Sequence, residues 1–249
     1  MVAIMDVSME SLRAVDEPDE SGLVTEDDAP VDSILCEKEQ RILTESLYSS
    51  WSGPPPAEEG GPPRPFAALA NVGLFSSIEE PPVVPDVMLS LDVQIPEDLG
   101  LKRNRSYFVW RYGKPPEVVI EIVSNREGDE LGKRFQRYRH IRVAYYVVYD
   151  PLRLLGSAPV RAFELRGDLY VPMDLLWFES VGLGLVEWDG VFEGTSRSWL
   201  RWCTRDGVVV PTGAERAQAE SERAQAAEAR AQYLAARLRA LGIDPDDGK

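Results

Sequence analysis

The sequence predicts an α/β protein that ends in a long helix, and three observations support this fold class. Residues 117–124 (EVVIEIVS) are β-branched on both faces apart from one glutamate, which is typical of a central strand buried on both sides. Residues 144–149 form a second buried strand, and the segment between the two strands has the apolar spacing of a helix. Residues 213–241 are rich in Ala, Glu, Arg and Gln and contain no Pro or Gly after the first residue, so they predict one long helix.

The N-terminal part predicts three segments with different properties. Residues 1–33 contain ten acidic side chains, one Arg and no aromatic residue, so they predict a disordered acidic tail. Residues 34–51 have apolar positions at helical spacing and predict an amphipathic helix, with Asp32 or Ser33 as its N-cap. Residues 52–65 are rich in Pro and Gly and predict an extended linker.

The globular domain is predicted to span residues 66–212. The apolar-rich segments 66–76 and 83–93 predict two strands, and the Glu-Glu-Pro-Pro sequence between them suits a hairpin turn. The aromatic segment 106–112 predicts a further strand, and shorter strands continue to about residue 185.

A helix is predicted over residues 129–140, between the two buried strands. Asp129 and Glu130 suit the positive end of a helix dipole. The apolar stripe of this helix consists of Leu131, Phe135 and Tyr138.

The C-terminal helix carries a heptad pattern that strengthens towards its end. Its Ala-rich first half buries little, so two interpretations stay open, an oligomeric coiled coil and a solvated single helix. We expect a homo-oligomer, with a dimer favoured, and a flexible end over residues 242–249. The heptad positions are Ala217, Ala224, Ala231 and Leu238, together with Ala227, Leu234 and Leu241.

Charge is distributed unevenly along the chain. The net charge is −15, which disfavours a nucleic-acid partner if the charge is taken as uniform. However, residues 1–100 carry −17, residues 101–166 carry +7 and residues 167–249 carry −5. The basic middle segment predicts a surface that faces anions, although its Arg and Lys side chains could equally cover solvated helix and strand faces.

Cysteine content and hydropathy predict a cytoplasmic protein without membrane contact. Cys36 and Cys203 are the only two cysteines and form neither a disulfide framework nor a zinc-ligand spacing. The N-terminus has no basic, apolar leader, and the longest apolar run, residues 143–149, is far shorter than the ~20 residues that a membrane span needs.

Glu121 is the polar residue that points to a function. A carboxylate within a buried strand costs several kcal/mol unless it is paired, protonated or bound to a metal. One alternative is a structural ion pair with an Arg. Asp86 lies in a second apolar segment and Lys133 lies on the helix after Glu121, so the three residues together predict a pocket for a hard cation such as Mg²⁺.

An ordered set of motifs around these residues resembles the PD-(D/E)xK nuclease superfamily, and more closely the bacterial Uma-type family of restriction endonucleases. The resemblance covers about residues 66–190. The matching residues are Pro85-Asp86, Trp110, Gly113-Lys114-Pro115-Pro116, Glu121-Ile122-Val123-Ser124, Asp129, Lys133, Tyr138 and Tyr145-Tyr146-Val147-Val148-Tyr149-Asp150-Pro151.

The resemblance implies a restriction-endonuclease-like mixed sheet flanked by helices, with a metal at the sheet edge. Asp86, Glu121 and Lys133 would be catalytic. The metal ligands would be Asp86, Glu121 and the backbone carbonyl of Ile122, and the cofactor Mg²⁺, with Mn²⁺ as a substitute. Asp129 and Tyr138 would border the site.

The partner that the resemblance implies is DNA, whose phosphates would be bound by Arg126, Arg134, Arg137 and Arg139. The sequence departs from the family pattern at Arg142 and Ala144, which affects contacts at the second buried strand. The predicted function is therefore a metal-dependent DNA endonuclease. The alternative is a catalytically silent, nuclease-derived binding or regulatory protein that oligomerises through its C-terminal helix.

Overall fold

The computed structural model describes residues 19, 22–25, 33–56, 58, 60–125 and 129–241. Most of the predicted acidic tail, the predicted flexible end and Arg126 lie outside these residues. The strands are β1 (Phe66–Ala70), β2 (Leu74–Phe75), β3 (Val87–Leu91), β4 (Tyr107–Phe108), β5 (Val118–Ile122), β6 (Tyr145–Tyr149), β7 (Val160–Arg166), β8 (Leu169–Met173), β9 (Trp177–Phe178), β10 (Leu183–Phe192) and β11 (Thr195–Cys203). The helices are α1 (Ile34–Ser50), α2 (Val109–Tyr112), α3 (Lys133–Ile141) and α4 (Gly213–Ala240), with a short 3₁₀ turn at Lys102–Asn104.

A six-stranded mixed sheet in the order β1-β3-β5-β6-β7-β8 forms the centre of the fold. β5 and β6 pair in parallel and are joined through α3, whereas the other neighbours in this sheet pair antiparallel. Every residue of β3, β5 and β6 is buried, as their apolar composition requires. The predicted α/β class with a mixed sheet, flanking helices and a long C-terminal helix is confirmed.

The two faces of the sheet pack against different elements. On one face, Val118, Ile120 and Ile122 of β5 contact a core that includes α1 and the β9–β11 sheet. On the other face, Val119 and Val123 pack with Tyr138 and Ile141 of α3. Since side chains alternate along a strand, Glu121 belongs to the α3 face.

Helix α1 begins at the predicted position. Ser33 is its N-cap, and the hydroxyl accepts a hydrogen bond from the Cys36 amide at 3.2 Å. The buried face of the helix lies against β11, where the Trp202 indole donates to the Leu43 carbonyl at 2.8 Å.

Several predicted elements differ from the structure, and the strands predicted to end near residue 185 continue to residue 203 in β10 and β11, which are also the longest. Only residues 66–70 and 87–91 pair as the expected antiparallel strands, and the connection between them contains β2, which pairs in parallel with β4. The strand predicted over 106–112 is wrong beyond Phe108, because the chain turns into the single-turn helix α2 and leaves it at Gly113 with φ +74°.

The helix predicted from residue 129 begins at Lys133. Asp129 lies before the helix, where its Oδ2 accepts the Lys133 amide at 2.9 Å and occupies an otherwise free donor of the first turn. Leu131, predicted in the apolar stripe, therefore lies outside the helix and is exposed.

Helix α4 is fixed only at its start. Thr212 and Glu215 form a reciprocal capping box, and the Gly213 amide donates to Glu45 of α1 at 2.8 Å. None of the residues of α4 is buried. Within the part of the chain that the structure describes, no helix combines the length and apolar character of a membrane span.

Candidate active site

Glu121 lies on the central strand β5 with its carboxylate enclosed. Its side chain is only 1% exposed. Both carboxylate oxygens have partners on α3: Oε1 accepts the Tyr138 hydroxyl at 2.5 Å, and Oε2 accepts the guanidinium of Arg134. Glu121 is therefore held by the cationic side chain of Arg134 and by the neutral hydroxyl of Tyr138.

Asp86 lies beside Glu121 because of the strand register. Val87 is paired with Ile120 across the antiparallel β3–β5 ladder, so the residue before β3 lies next to Glu121. The Asp86 Oδ2 atom accepts the backbone N–H of Ile122 at 2.7 Å. Its Oδ1 atom accepts the side-chain amide of Gln40 at 2.9 Å.

The electrostatics of this pair favour a bound cation. Burial, and then the nearby charge of Asp86, raise the pKa of Glu121 above its ordinary value, whereas Arg134 and the Tyr138 hydroxyl lower it. The pKa of Tyr138 is raised well above its ordinary value, first by burial and then by Glu121, so its hydroxyl keeps its proton and acts as a donor. The metal-free site therefore disfavours ionisation of Glu121 beside Asp86, and a divalent cation bound between the two groups would lower the pKa of Glu121 and keep both carboxyls ionised.

The donor set of the site fits a hard divalent cation. Mg²⁺ is commonly held by one or two carboxylates, and waters and substrate phosphates complete its octahedron. Across the described ranges, no group of three or more His, Cys, Asp or Glu side chains is arranged to hold a metal. The protein can therefore supply Asp86, Glu121 and backbone oxygen, and the fit is to a cation that shares its coordination with water and phosphate.

Lys133 and Arg134 lie on different faces of α3. The side chain of Arg134 reaches Glu121, whereas that of Lys133 is exposed and lines an open surface depression of about 570 Å³ together with Glu80, Arg137 and His140. Within the described residues, the basic side chain in contact with Glu121 is that of Arg134. Sequence reasoning placed the lysine at this position and assigned Arg134 to DNA.

The remaining predicted site residues have different surroundings. Arg137 connects α3 to the loop before β3, since its guanidinium pairs with Glu80 and donates to the Pro81 carbonyl at 2.9 Å. Arg139 is half-buried. Asp129 caps α3, and Tyr138 contacts Glu121 directly.

Two residues near the carboxylates were not predicted from the sequence. Gln40 lies on α1, 46 residues before Asp86, and a glutamine in an amphipathic helix gives no sequence signal of such a contact. Glu130 is 8% exposed with a buried Oε2 that has no hydrogen-bond partner in the structure, and its charge contributes to the raised pKa of Glu121. A buried carboxylate at this position could not be foreseen, because the helix was expected to include it.

Comparison with known proteins identifies the family. The family described as Uma2, putative restriction endonuclease, matches residues 55–179, which is half of the chain. The matched segment contains the six-stranded sheet and α3, and therefore both carboxylates. The comparison with curated proteins gave no match. On the match over half of its length, the chain belongs to the Uma2 family of the PD-(D/E)xK nuclease superfamily.

Proposed function

We propose that the protein is a metal-dependent DNA endonuclease that hydrolyses phosphodiester bonds. The observation that carries this proposal is the pair of adjacent carboxylates, Asp86 just before β3 and Glu121 on β5, of which Glu121 is 1% exposed and held against a guanidinium. A purely structural ion pair would need only one carboxylate. The second, adjacent carboxyl makes ionisation of Glu121 unfavourable, and a divalent cation would remove that penalty.

Asp86 and Glu121 would hold Mg²⁺, or Mn²⁺ in its place, with the Ile122 carbonyl as a further ligand. A cation bound there would lower the pKa of a coordinated water and neutralise charge on the scissile phosphate. Tyr138 would orient Glu121, since its hydroxyl donates to one carboxylate oxygen.

Two basic residues would act on the phosphate. Arg134 can pair either with Glu121 or with a phosphate oxygen, for which its planar guanidinium is well suited. Lys133, exposed at the first turn of α3, would orient the attacking water or stabilise the pentavalent transition state. Arg126, Arg137 and Arg139 remain proposed contacts to flanking phosphates.

Cleavage of plasmid DNA tests the proposal. Purified protein is incubated with supercoiled plasmid and Mg²⁺ or Mn²⁺, next to a Glu121→Gln variant and a Glu164→Gln control. Glu164 is paired with Arg166 on β7, away from both carboxylates. We expect nicking by the wild type and the control and a loss on the order of 100-fold in Glu121→Gln, because a direct ligand is removed and even the loss of a group that only orients a ligand costs about 10- to 100-fold. Equal cleavage by all three proteins would reject the proposed site.

The alternative function is a silent nuclease relative that binds DNA or regulates a partner. It is favoured by one observation, namely that Arg134 already neutralises Glu121. Isothermal titration with Mn²⁺ separates the two functions. Binding that Glu121→Gln abolishes supports the nuclease, whereas no binding by the wild type supports the alternative.

We further propose that the protein forms a parallel dimer through α4. None of the residues of this helix is buried, and Leu234 and Leu241 of the heptad seam are exposed. A parallel pairing in the predicted register would place Arg223 of one copy beside Glu228 of the other, a favourable contact at the flanking positions of a coiled coil.

A further inference from the structure

The Asp86 carboxylate is held from two directions by neutral donors. The backbone N–H of Ile122 donates to Oδ2 at 2.7 Å, and the side-chain amide of Gln40 donates to Oδ1 at 2.9 Å. Asp86 itself is partly exposed, whereas Gln40 is 4% exposed in the interface between α1 and the sheet. The donors therefore come from the buried interior of the protein and set the orientation of a carboxylate that reaches the surface.

Asn71 fixes the orientation of the Gln40 amide. The Gln40 Nε2 atom donates to the Asn71 Oδ1 atom at 3.2 Å, and the Asn71 Nδ2 atom donates to the Gln40 Oε1 atom at 2.8 Å. A flipped Gln40 amide would direct its oxygen at two acceptor oxygens, those of Asn71 and Asp86. Because the Asp86 carboxylate only accepts hydrogen bonds, it excludes the flipped orientation of Gln40, and the two hydrogen bonds with Asn71 hold the amide in the remaining orientation, with N–H towards Asp86.

The backbone at Asn71 is adapted to this contact. Its φ of +52° lies in the left-handed region, which asparagine tolerates better than most residues. Its own N–H donates to the backbone carbonyl of Asp86 at 3.3 Å, so Asn71 contacts both the main chain of Asp86 and the amide that holds its side chain.

An amide donor has a chemical property that matters at a cation site. It fixes a carboxylate through one lone pair and adds no positive charge, so it does not compete with a cation for the remaining lone pairs. Arg134 does add positive charge at Glu121. The two carboxylates therefore differ in their hydrogen bonds: Glu121 accepts the Arg134 guanidinium of α3, whereas Asp86 accepts neutral amides of α1 and β5.

From this geometry we infer that Gln40 and Asn71 are positioning residues that orient Asp86 for divalent-cation binding. α1 is thereby an integral part of the active site, although it lies outside the segment that matches the family. The inference rests on the proposed function only in assigning a cation to Asp86 and Glu121. It adds that the site is incomplete without a helix that precedes the family segment.

The test compares four full-length proteins by Mn²⁺ calorimetry, thermal unfolding and plasmid cleavage. Gln40→Met keeps the length of the side chain and removes both its donor and its acceptor. Asn71→Gly removes the amide partner and tolerates the positive φ. Ser46→Ala is the control, since Ser46 is a buried polar residue of α1 for which the structure gives no hydrogen bond.

We expect Gln40→Met to weaken Mn²⁺ binding by about 10- to 100-fold, which is the usual effect of removing a residue that orients a metal ligand. Asn71→Gly should weaken it by a smaller factor, because Gln40 can still reach Asp86, and Ser46→Ala should not change it. Cleavage by Gln40→Met should recover at saturating Mn²⁺ with an unchanged KM for DNA. A purely structural role would lower the unfolding temperature without this recovery.

The outcomes separate this inference from the proposed function. Wild-type Mn²⁺ affinity in a folded Gln40→Met protein would overturn the inference, and if that variant does not fold, unchanged affinity in Asn71→Gly would overturn it. If the wild type binds Mn²⁺ but cleaves no DNA, the nuclease proposal fails, while weaker Mn²⁺ binding by Gln40→Met would still support the positioning role. Absence of Mn²⁺ binding by the wild type would overturn both.

Discussion

Glu39 and Gln40 are neighbours on α1 but face different environments. Glu39 is fully buried against β11, where its Oε2 accepts the Leu200 amide at 3.4 Å and its Oε1 has no hydrogen-bond partner in the structure. Burial raises its pKa from 4.5 to about 8, against smaller lowering effects of the Leu200 amide and Arg197. Glu39 is thus a carboxyl group that the folded protein keeps protonated at neutral pH.

The stability of the protein should therefore depend on pH through Glu39. In the unfolded chain this group loses its proton near pH 4.5, whereas the folded protein retains the proton up to about pH 8. Between these values the folded state binds more protons, so the contribution of Glu39 to stability falls as pH rises. We expect Glu39→Gln to match the wild type below about pH 4.5 and to become increasingly more stable towards pH 8.

Chemical unfolding at several pH values measures this difference. Glu37→Gln is the control, since Glu37 lies on the same helix, is 44% exposed and pairs with Arg41. Its stability difference from the wild type should not grow over the same range. A difference for Glu39→Gln that is constant with pH would show that Glu39 has the same pKa in both states.

Glu121 should show a second effect, on the response to metal. Its pKa is raised by burial and by Asp86, so the charged form destabilises the metal-free protein and Glu121→Gln should unfold at the same or a higher temperature than the wild type. Mg²⁺ should stabilise the wild type by about 2.7 kcal/mol at 100 times its Kd and leave the variant unchanged. Thermal unfolding with and without Mg²⁺ checks this, and equal stabilisation of both proteins would place the cation elsewhere.

A buried cation of β11 contributes to the attachment of helix α4 to the domain. Arg201 of β11 is 1% exposed, donates to Glu215 at 2.7 and 3.2 Å, and lies over the Trp188 ring at 4.7 Å. Glu215 is also part of the capping box of the helix. The same carboxylate therefore starts α4 and neutralises a charge inside the β10–β11 sheet.

We expect Glu215→Gln to destabilise the protein by about 3 kcal/mol, the lower end of the range for breaking a buried pair, because the Arg201 charge loses its counter-ion and Glu215 is itself partly exposed. Glu220→Gln, which removes an exposed i,i+4 pair with Arg216, should change stability by less than about 0.5 kcal/mol. Urea unfolding measures both. Equal effects of the two substitutions would contradict a buried role for the Arg201–Glu215 pair.

The exposed end of α4 allows a test of the proposed dimer. Leu234→Glu combined with Leu238→Glu should convert a dimer to a monomer, since charges in the seam of a coiled coil are strongly unfavourable. Ala236→Glu, on the outer side of the same predicted helix, should leave the mass unchanged. Light scattering decides between the outcomes, and a wild-type monomer would leave α4 a solvated single helix.

At the scale of elements, the sequence predicted which segments form buried strands better than it predicted where strands and helices begin and end. β5 and β6 were foreseen because a short β-branched run that is apolar on both faces is typical of a central strand. The start of α3 was not foreseen. Asp129 could lie within the helix or before it, and the outcome depends on the contacts of the turn, in which its carboxylate accepts the Lys133 amide. Successive helical residues are rotated by about 100°, so the choice between Lys133 and Arg134 depends on how α3 packs on the sheet.

The candidate site was also predictable only in part, namely in its carboxylates and not in the residue that orients one of them. Asp86 and Glu121 are visible because each is an acidic residue in an apolar segment, and pattern alone indicates burial. Gln40 could not be found, since its role arises from packing between α1 and a residue 46 positions later. Sequence periodicity reports which face of an element is buried, and it does not report which distant side chain lies against it.

For the whole molecule, the charge distribution predicts an effect of the N-terminal residues on DNA binding. Residues 1–32 carry ten acidic side chains and one Arg, whereas residues 101–166, which contain Glu121 and α3, carry a net charge of +7. Deletion of residues 1–32, which keeps the Ser33 cap of α1, should tighten DNA binding at low salt, and the effect should shrink as salt is raised. Fluorescence anisotropy with a labelled duplex measures this, and identical affinities at low salt would exclude competition by the acidic segment.

The packing of the central sheet has a consequence for the smallest autonomous unit of the protein. Residues 55–179 match the family, yet one face of β5 is covered by Ile42, Leu43 and Leu47 of α1 and by side chains of β10 and β11, all outside that segment. An isolated 55–179 fragment would expose this apolar face to water and would be expected to aggregate. The unit of folding is therefore longer than the segment by which the family is recognised.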